Sequence, residues 1–455
     1  MIQQAGVDAA SLIARLENVP FSRWHTKARV VVGSATFFDA FDALSLAFAL
    51  PVLIGLWQIT PQQTGFLISS SYVGQLIGAI VFSSLAEKFG RIRSAAAATA
   101  LMSIMSLVCA LAGSFQELLI FRFIQGIGVG GEMPVAAAYI SELSKARGRG
   151  RFFMLYELIF PIGLMATGQI GARVVPVLGW QSIFWIGGIP GLIVTLLLLR
   201  LPESPRWLIS KGRLQEADWI IQQIETTKTP VAAQPNLEGP PGFIIPPAAP
   251  QRSRWYEVLA LSFRSRTLVV WTLWATAYFV TNSLNNWLPT LYRTVYNLPL
   301  SQSLFAASMT NVMQVAVLLV CVFCIDRIGR KNWTVVSLLT GGMALLILGL
   351  AGANSVQGVI VVATLSYGII GSVNAVLYLY TPEIYPTRMR AIGTGLATCW
   401  LRLASAIGPV VVGYVVGVRG THSVFLMFAV TAIVGAFAAT RMIETRARQL
   451  EEIAK

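Results

Sequence analysis

The feature that most constrains this chain is a series of uncharged apolar runs, each about as long as a bilayer core is thick when coiled as helix. Residues 94–113 and 332–353 are examples, and roughly 20 such residues span the hydrocarbon region. Backbone in lipid must satisfy its own hydrogen bonds, which leaves helices or closed barrels, and these runs lack the apolar/polar alternation of a barrel strand. Only 12% of the 455 residues are charged and 55% are hydrophobic, whereas a soluble protein carries about twice that charged fraction. The expected fold class is therefore an all-α membrane protein.

Hydropathy places twelve transmembrane helices near 30–57, 64–86, 94–113, 118–140, 152–174, 180–200, 267–289, 302–325, 332–353, 357–380, 391–418 and 423–440. A net charge of +14 would suggest nucleic acid in a soluble protein, but here its distribution is decisive. Of the 34 Lys and Arg, 29 fall on one face; Arg173, Arg293 and Arg419 fall on the other, and Arg122 and Arg402 lie within spans. The positive-inside rule then predicts cytoplasmic termini and central loop, and no nucleic-acid partner. The first 27 residues contain Arg15, Glu17, Arg23 and Lys27 and no apolar core of a cleavable signal.

The divisions expected are a tail over 1–29, a six-helix half over 30–200, a central loop over 201–266, a second six-helix half over 267–440, and a tail over 441–455. Within the loop, 206–225 reads as one amphipathic helix, followed by a proline-rich linker from Pro230 to Pro250. Cys109, Cys321, Cys324 and Cys399 all sit in apolar spans, and His25 and His422 are far apart. No metal site and no cofactor are expected.

The halves resemble each other. Glu87 to Arg91 after span two and Asp326 to Arg330 after span eight share an acid-x-x-Gly-Arg turn, with Gly90 and Gly329 relieving crowding. After span four, Glu142 precedes Arg147 and Arg149; after span ten, Glu383 precedes Arg388 and Arg390 in the same register. Such a parallel repeat predicts a binding site near the midplane between two rocking halves. The repeated acids and arginines (Glu87, Arg91, Glu142, Arg149, Asp326, Arg330, Glu383, Arg390) are expected to be gate residues. They would pair with one another, or cap a helix N-terminus, in one state and separate in the other.

These turns, together with Arg122-x-x-x-Gly126-x-Gly128-x-Gly130-Gly131-Glu132 and Pro202-Glu203-Ser204-Pro205-Arg206-Trp207, resemble the major facilitator superfamily, the last motif being typical of its sugar-porter-like branch. The resemblance covers essentially the whole chain. More narrowly, Phe38-Asp39 with Asp42, Gly130 to Val135, Tyr380 to Pro386, and Arg402 followed by Gly408-Pro409 look like the bacterial niacin transporters. These are relatives of the synaptic vesicle glycoprotein 2 and organic ion transporter families. Aromatic acid/proton symporters share the Asp-x-x-Asp of span one. The resemblance implies two halves of six helices and a proton-coupled, alternating-access uptake carrier of the bacterial inner membrane, expected to be a monomer.

Ionisable side chains at membrane depth cost about 2.5 to 3.5 kcal/mol each on insertion scales, so each is a functional candidate. Asp39 and Asp42, at i and i+3, share one side of span one with Phe38 nearby. Two carboxylates so close in an apolar cavity resist ionising together, which suits a proton carrier; Asp42, the deeper one, is also expected to contact substrate, as is Phe38. The resemblance adds Arg122 as a residue associated with proton coupling, and implies that a basic residue at Arg402 accompanies an anionic substrate. A guanidinium binds a carboxylate bidentately. Glu132 and Glu157 are expected at an inner gate or in substrate binding. The glycine series around Glu132 mimics a dinucleotide fingerprint, but it has no preceding strand and reads as close helix packing.

A small aromatic carboxylate or amide needs flat apolar walls with a few polar groups at its edge. Trp274, Tyr278, Asn282 and Asn285 fall roughly on one face of span seven. Asn311 and Gln314 from span eight, and Tyr367, Asn374 and Tyr378 from span ten, add amides and rings. No phosphate-binding loop or nucleophile with base and orienter occurs, so an enzyme or ATP-driven pump is not expected. A proton antiporter or exporter and a non-transporting sensor are the alternatives. In span five Pro161 precedes Gly163 rather than following a glycine, which disfavours the antiporter.

Overall fold

A computed structural model describes residues 8–19, 22–143, 158–227, 255–351, 355–386 and 389–446. Six long helices form the first half: α2 (Arg23–Trp57), α3 (Pro61–Phe89), α4 (Arg91–Ala110), α5 (Phe115–Leu143), α6 (Ile159–Leu178) and α7 (Gln181–Leu198). They follow a short α1 (Ala9–Asn18). Two short helices, α8 (Pro205–Ser210) and α9 (Leu214–Thr226), lead toward the second half. There α10 (Leu261–Thr294), α11 (Leu300–Ile328), α12 (Arg330–Leu350), α13 (Val356–Glu383) and α14 (Arg390–Ala439) follow. The last is interrupted at Gly420, whose φ of 77° breaks it into two arms.

Ten described helices, with α14 counted once, are long and apolar enough to cross a membrane. The second arm of α14 and the more polar α10 complete twelve spans, in two halves of six. The polarity of α10 has a local cause: it carries buried Asn285 and Asn286 and half-buried Asn282.

Glycines decide how closely the helices of the first half approach. A Cβ at Gly126 would stand 2.1 Å from the Ser71 carbonyl oxygen, and one at Gly130 would stand 2.2 Å from that of Gln75. One at Gly128 would stand 2.6 Å from the Met102 nitrogen. The glycine series of α5 thus presses backbone against α3 and α4, as small residues do between membrane helices.

Both acid-x-x-Gly-Arg turns use glycine at positive φ, 108° at Gly90 and 92° at Gly329. Each presents the first amides of the next helix to a distant glutamate. Glu203 Oε1 accepts from Arg91 N at 2.8 Å, and Glu444 Oε1 accepts from Arg330 N at 3.0 Å. A carboxylate there satisfies orphan N–H groups and meets the positive end of the helix dipole.

The loop segment 206–225, read as one helix, is two. Gly212 at φ 74° turns the chain between α8 and α9. Leu12, Leu16 and Val19 of the N-terminal segment pack on Trp207, Leu208 and Ile221 of this pair. Arg15 there bonds Asp218 at 2.6 Å and Glu225 at 2.7 Å. Those bonds, Glu225 first and Asp218 second, hold the Arg15 guanidinium above its ordinary pKa. Both ends of the described chain lie on the face that carries these helices, called here the terminus face.

Gly130→Val is expected to lower the yield of monodisperse protein in detergent sharply, since overpacking against backbone costs about 1–3 kcal/mol or more. Gly395→Ala, where a Cβ would meet nothing within 4 Å, is the matched control and should leave size-exclusion profile and melting temperature unchanged.

Candidate functional site

Between the halves lies a cavity of about 120 Å³. From the first half it is lined by Asp39 of α2, Tyr72 and Gln75 of α3, Met133 of α5, and Phe160 and Pro161 of α6. From the second half come Tyr278, Asn282, Asn285 and Asn286 of α10, Gln314 of α11, Tyr367, Asn374 and Tyr378 of α13, and Arg402 of α14.

The polar residues of α10 face the cavity because its 3.6-residue period repeats them on one side. They are held in place by partners behind the wall. Asn285 and Asn311 exchange amide bonds at 3.2 and 3.1 Å. Asn282 donates to Ser405 Oγ at 2.5 Å, Asn374 to Thr281 Oγ1 at 3.2 Å, and Tyr367 Oη to Gln314 Oε1 at 3.1 Å. Trp274 is fully buried and does not line the cavity. It stacks on Tyr278 at 5.4 Å, meets Tyr378 edge-on at 4.7 Å, and donates to Thr381 Oγ1 at 2.9 Å. Thus Trp274 braces the two tyrosines that do face the cavity, and Asn311 braces Asn285.

The carboxylates of α2 part company. Asp39 lies on the cavity wall, 2% exposed, with Oδ1 unbonded. Asp42 lies one turn on and behind the wall, where Gly187 of α7 leaves room for its carboxylate: a Cβ there would stand 2.6 Å from Asp42 Oδ1. Ser106 donates to Asp42 Oδ1 at 2.9 Å. Arg122 donates to the Asp42 backbone carbonyl at 3.1 Å and to Gln125 Oε1 at 2.7 Å. Asp42 and Arg122 therefore form a buried cluster of the first half, apart from the residues that line the cavity. Phe38, half-buried, packs edge-on to Phe37 and tilted to Phe41 rather than lining the cavity.

Glu132 is fully buried and accepts from Thr36 Oγ1 at 3.1 Å. Arg402 reaches across from the second half, its Nη2 donating to the Gly130 carbonyl at 3.4 Å, while its Nε has no hydrogen bond. A guanidinium in a wall of amides and phenols can hold a carboxylate, and the tyrosine faces suit a flat ring.

The other expected gate residues are paired inside each half. Arg91 meets Glu87 at 3.0 Å and Glu142 at 3.0 Å. Arg330 meets Asp326 at 2.9 Å and Glu383 at 3.4 Å. Arg390 donates through Nε to the Tyr385 carbonyl at 3.1 Å. Arg147, Arg149, Glu157 and Arg388 lie outside the described residues. The described pairs thus tie helices within one bundle and do not bridge the two.

Contact between the halves is made elsewhere. Asn286 donates to Tyr72 Oη at 3.1 Å and Gln169 to Ser308 Oγ at 3.0 Å. On the face opposite the termini, a Cβ at Gly65 would stand 2.6 Å from the Pro409 carbonyl oxygen, and one at Gly413 would stand 2.4 Å from that of Pro61. That side of the interface is closed by backbone approach of α3 and α14. Tyr72, Gln75 and Asn286 complete the wall; the first two form a polar i, i+3 pair in an apolar span, a signal the sequence carries.

Residues 29–455 match a family described as "Sugar (and other) transporter". A niacin transporter of Acinetobacter baylyi is 32% identical, with 97% of this chain and 99% of that protein covered. A benzoate transport protein of the same organism is 25% identical over 96% and 94% of the two chains. Among solved structures, a D-xylose-proton symporter superposes with a TM-score of 0.73 at 17% identity, covering 93% of this chain and 99% of that one. The inward-open xylose transporter from E. coli gives 0.71 at 19% identity, covering 94% and 99%.

Tyr72→Phe removes a cross-half bond worth about 1 kcal/mol. It is expected to raise the population open on the face opposite the termini roughly fivefold, read as a longer distance between spin labels at Gln58 and His422. An unchanged distance distribution would show that this bond does not hold that face shut.

Proposed function

The chain belongs to the sugar (and other) transporter family of the major facilitator superfamily, and from that premise we propose that it imports niacin by proton-coupled alternating access. It is a multi-pass membrane transporter of a small molecule, not an enzyme. The reading of the substrate rests above all on one observation: a single guanidinium, that of Arg402, and a single carboxylate, that of Asp39, stand in a cavity whose other polar lining is amides and tyrosines. Nicotinate offers a carboxylate to Arg402 and a flat ring to Tyr278 and Tyr378. Its ring nitrogen accepts from an amide such as Asn282 or Asn374. Nicotinamide presents an amide to the same wall. The similarity to a niacin transporter over nearly the whole chain supports this choice.

In this mechanism the two halves rock about the cavity. The ion pairs of Arg91 and Arg330 keep each bundle rigid while the contacts between α3 and α14 separate and reform. Proton coupling is assigned to the carboxylates of α2, with Arg122 fixing the backbone and surroundings of Asp42. We place the carrier in the bacterial inner membrane as a monomer, with the terminus face cytoplasmic, in keeping with the 29 basic residues on that side. A benzoate-like acid would use the same groups, as the similarity to a benzoate transport protein suggests.

Labelled nicotinate should enter proteoliposomes, accumulate when an inward proton gradient is imposed, and be displaced by unlabelled nicotinate and nicotinamide more effectively than by benzoate. Arg402→Gln should weaken nicotinate binding by about 10- to 100-fold, as expected for losing a charge-assisted bond of about 1.5–3 kcal/mol. Accumulation indifferent to the gradient would remove the coupling, and stronger competition by benzoate would replace the substrate.

A further inference from the structure

The cavity draws its two charged side chains from opposite halves, one carboxylate and one guanidinium. Asp39 enters from α2 with an unbonded oxygen although it is 2% exposed. The charges that bear on it are Glu132 from α5, Asp42 from its own helix, and Arg402 from α14. The tyrosines facing the same space are Tyr72, Tyr278, Tyr367 and Tyr378. Asp42, which accepts from Ser106, and Glu132, which accepts from Thr36, lie behind the wall. Asp39 is thus the carboxylate that lines the cavity with Arg402, and each of the two has one buried atom without a hydrogen bond.

We propose that Arg402 serves Asp39 and the substrate in alternation, so that whether a proton travels depends on the charge of the substrate. This rests on the niacin reading above and names its coupling step. With the cavity empty, the ionised Asp39 balances Arg402 across the interface between the halves. A nicotinate anion arriving beside an ionised Asp39 would set two carboxylates against one guanidinium in a water-poor space, an arrangement that resists full ionisation. A proton on Asp39 restores the balance: the substrate carboxylate takes Arg402, and the proton stays on the Asp39 carboxyl until the substrate leaves on the other side. Nicotinamide is neutral, leaves Asp39 and Arg402 to each other, and crosses without a proton. One cavity therefore accumulates the acid and only equilibrates the amide.

The unaltered full-length protein provides the test, by titration calorimetry with each ligand between about pH 6 and pH 8, where a carboxylate of ordinary pKa is ionised. Nicotinate affinity is expected to rise as pH falls, by up to about tenfold per unit for one linked proton, while nicotinamide affinity changes less than about twofold. In proteoliposomes an inward proton gradient should concentrate nicotinate but leave nicotinamide at equal inside and outside levels. Asp39→Asn should flatten the nicotinate profile, whereas Glu132→Gln should keep its slope. If Asp39→Asn does not fold, the two-ligand comparison on the unaltered protein still decides. Equal pH dependence for both ligands, a flat profile for nicotinate, or flattening by Glu132→Gln alone overturns the proposal. If neither niacin form binds, the substrate reading fails separately, and benzoate against benzamide poses the same charged and neutral comparison.

Discussion

A charge inside a bilayer is tolerable only with a partner or a path to water, and much of this molecule is the consequence of seating a few such groups. Arg122 is satisfied largely by backbone and amide oxygen, the Asp42 carbonyl and Gln125. Its neighbour Asp42 accepts from a serine hydroxyl through Oδ1. These bonds lie within one half, so rocking does not disturb them. Arg402 and Asp39 differ because they belong to different halves. Both face one cavity, so any compensation between them depends on how the interface is arranged, which makes them the pair on which a moving ligand can act.

The repeat between the halves goes deeper than the turns that reveal it. In each half a glycine at positive φ clears space, an arginine pairs with two acids, and a glutamate from beyond the sixth span caps the third. A Cβ at Gly90 would stand 2.2 Å from Glu203 Oε2, and one at Gly329 would stand 2.4 Å from Glu444 Oε2. The glycine thus serves two ends, since it makes the turn and admits the carboxylate. Glu203 and Glu444 occupy equivalent places, followed by Ser204 and Thr445 and then by Arg206 and Arg446. The last arginines bind backbone carbonyls of the neighbouring helix ends, Glu142 and Arg327 respectively.

Apolar length made the spans legible, and the one that fell short on mean hydropathy, α10, fell short because it carries the polar wall of the cavity. The i, i+3 and i, i+4 spacing of Tyr278, Asn282 and Asn285 was enough to place them on one face, since helical period fixes direction. Depth within a bundle is another matter. Asp39 and Asp42 have the same i, i+3 relation that put Asn282 near Asn285, yet only Asp39 meets the cavity, because Gly187 of a distant helix opens a niche for Asp42. Likewise Trp274 shares the face of Tyr278 but lies behind it, stacked. Which residue touches a ligand and which braces the one that does depends on helix packing between segments far apart in sequence, and no local pattern encodes it. The acids and arginines of the turns were recognisable as partners from their repeat. That each set closes within its own half depends on tertiary geometry.

The difference in bonding within and between the halves has a mechanical consequence. Inside a bundle, the glycine contacts of α5 bring backbone against backbone, and Arg91 in one half and Arg330 in the other each pair with two carboxylates. Moving one helix alone would break several such interactions at once. Between the bundles, the described hydrogen bonds are Asn286 to Tyr72, Gln169 to Ser308, and Arg402 to Gly130, each worth about 0.5–1.5 kcal/mol net, or somewhat more where charge assists. These three bonds together amount to a few kcal/mol, comparable to the coupling energies by which ligands shift equilibria between states, and the α3–α14 packing at Gly65 and Gly413 must separate with them. A ligand that gives Arg402 a better partner than the Gly130 carbonyl offers can supply a difference of that size. The interface needs to be weak, and the bundles rigid, for occupancy of one cavity to be converted into motion of the whole.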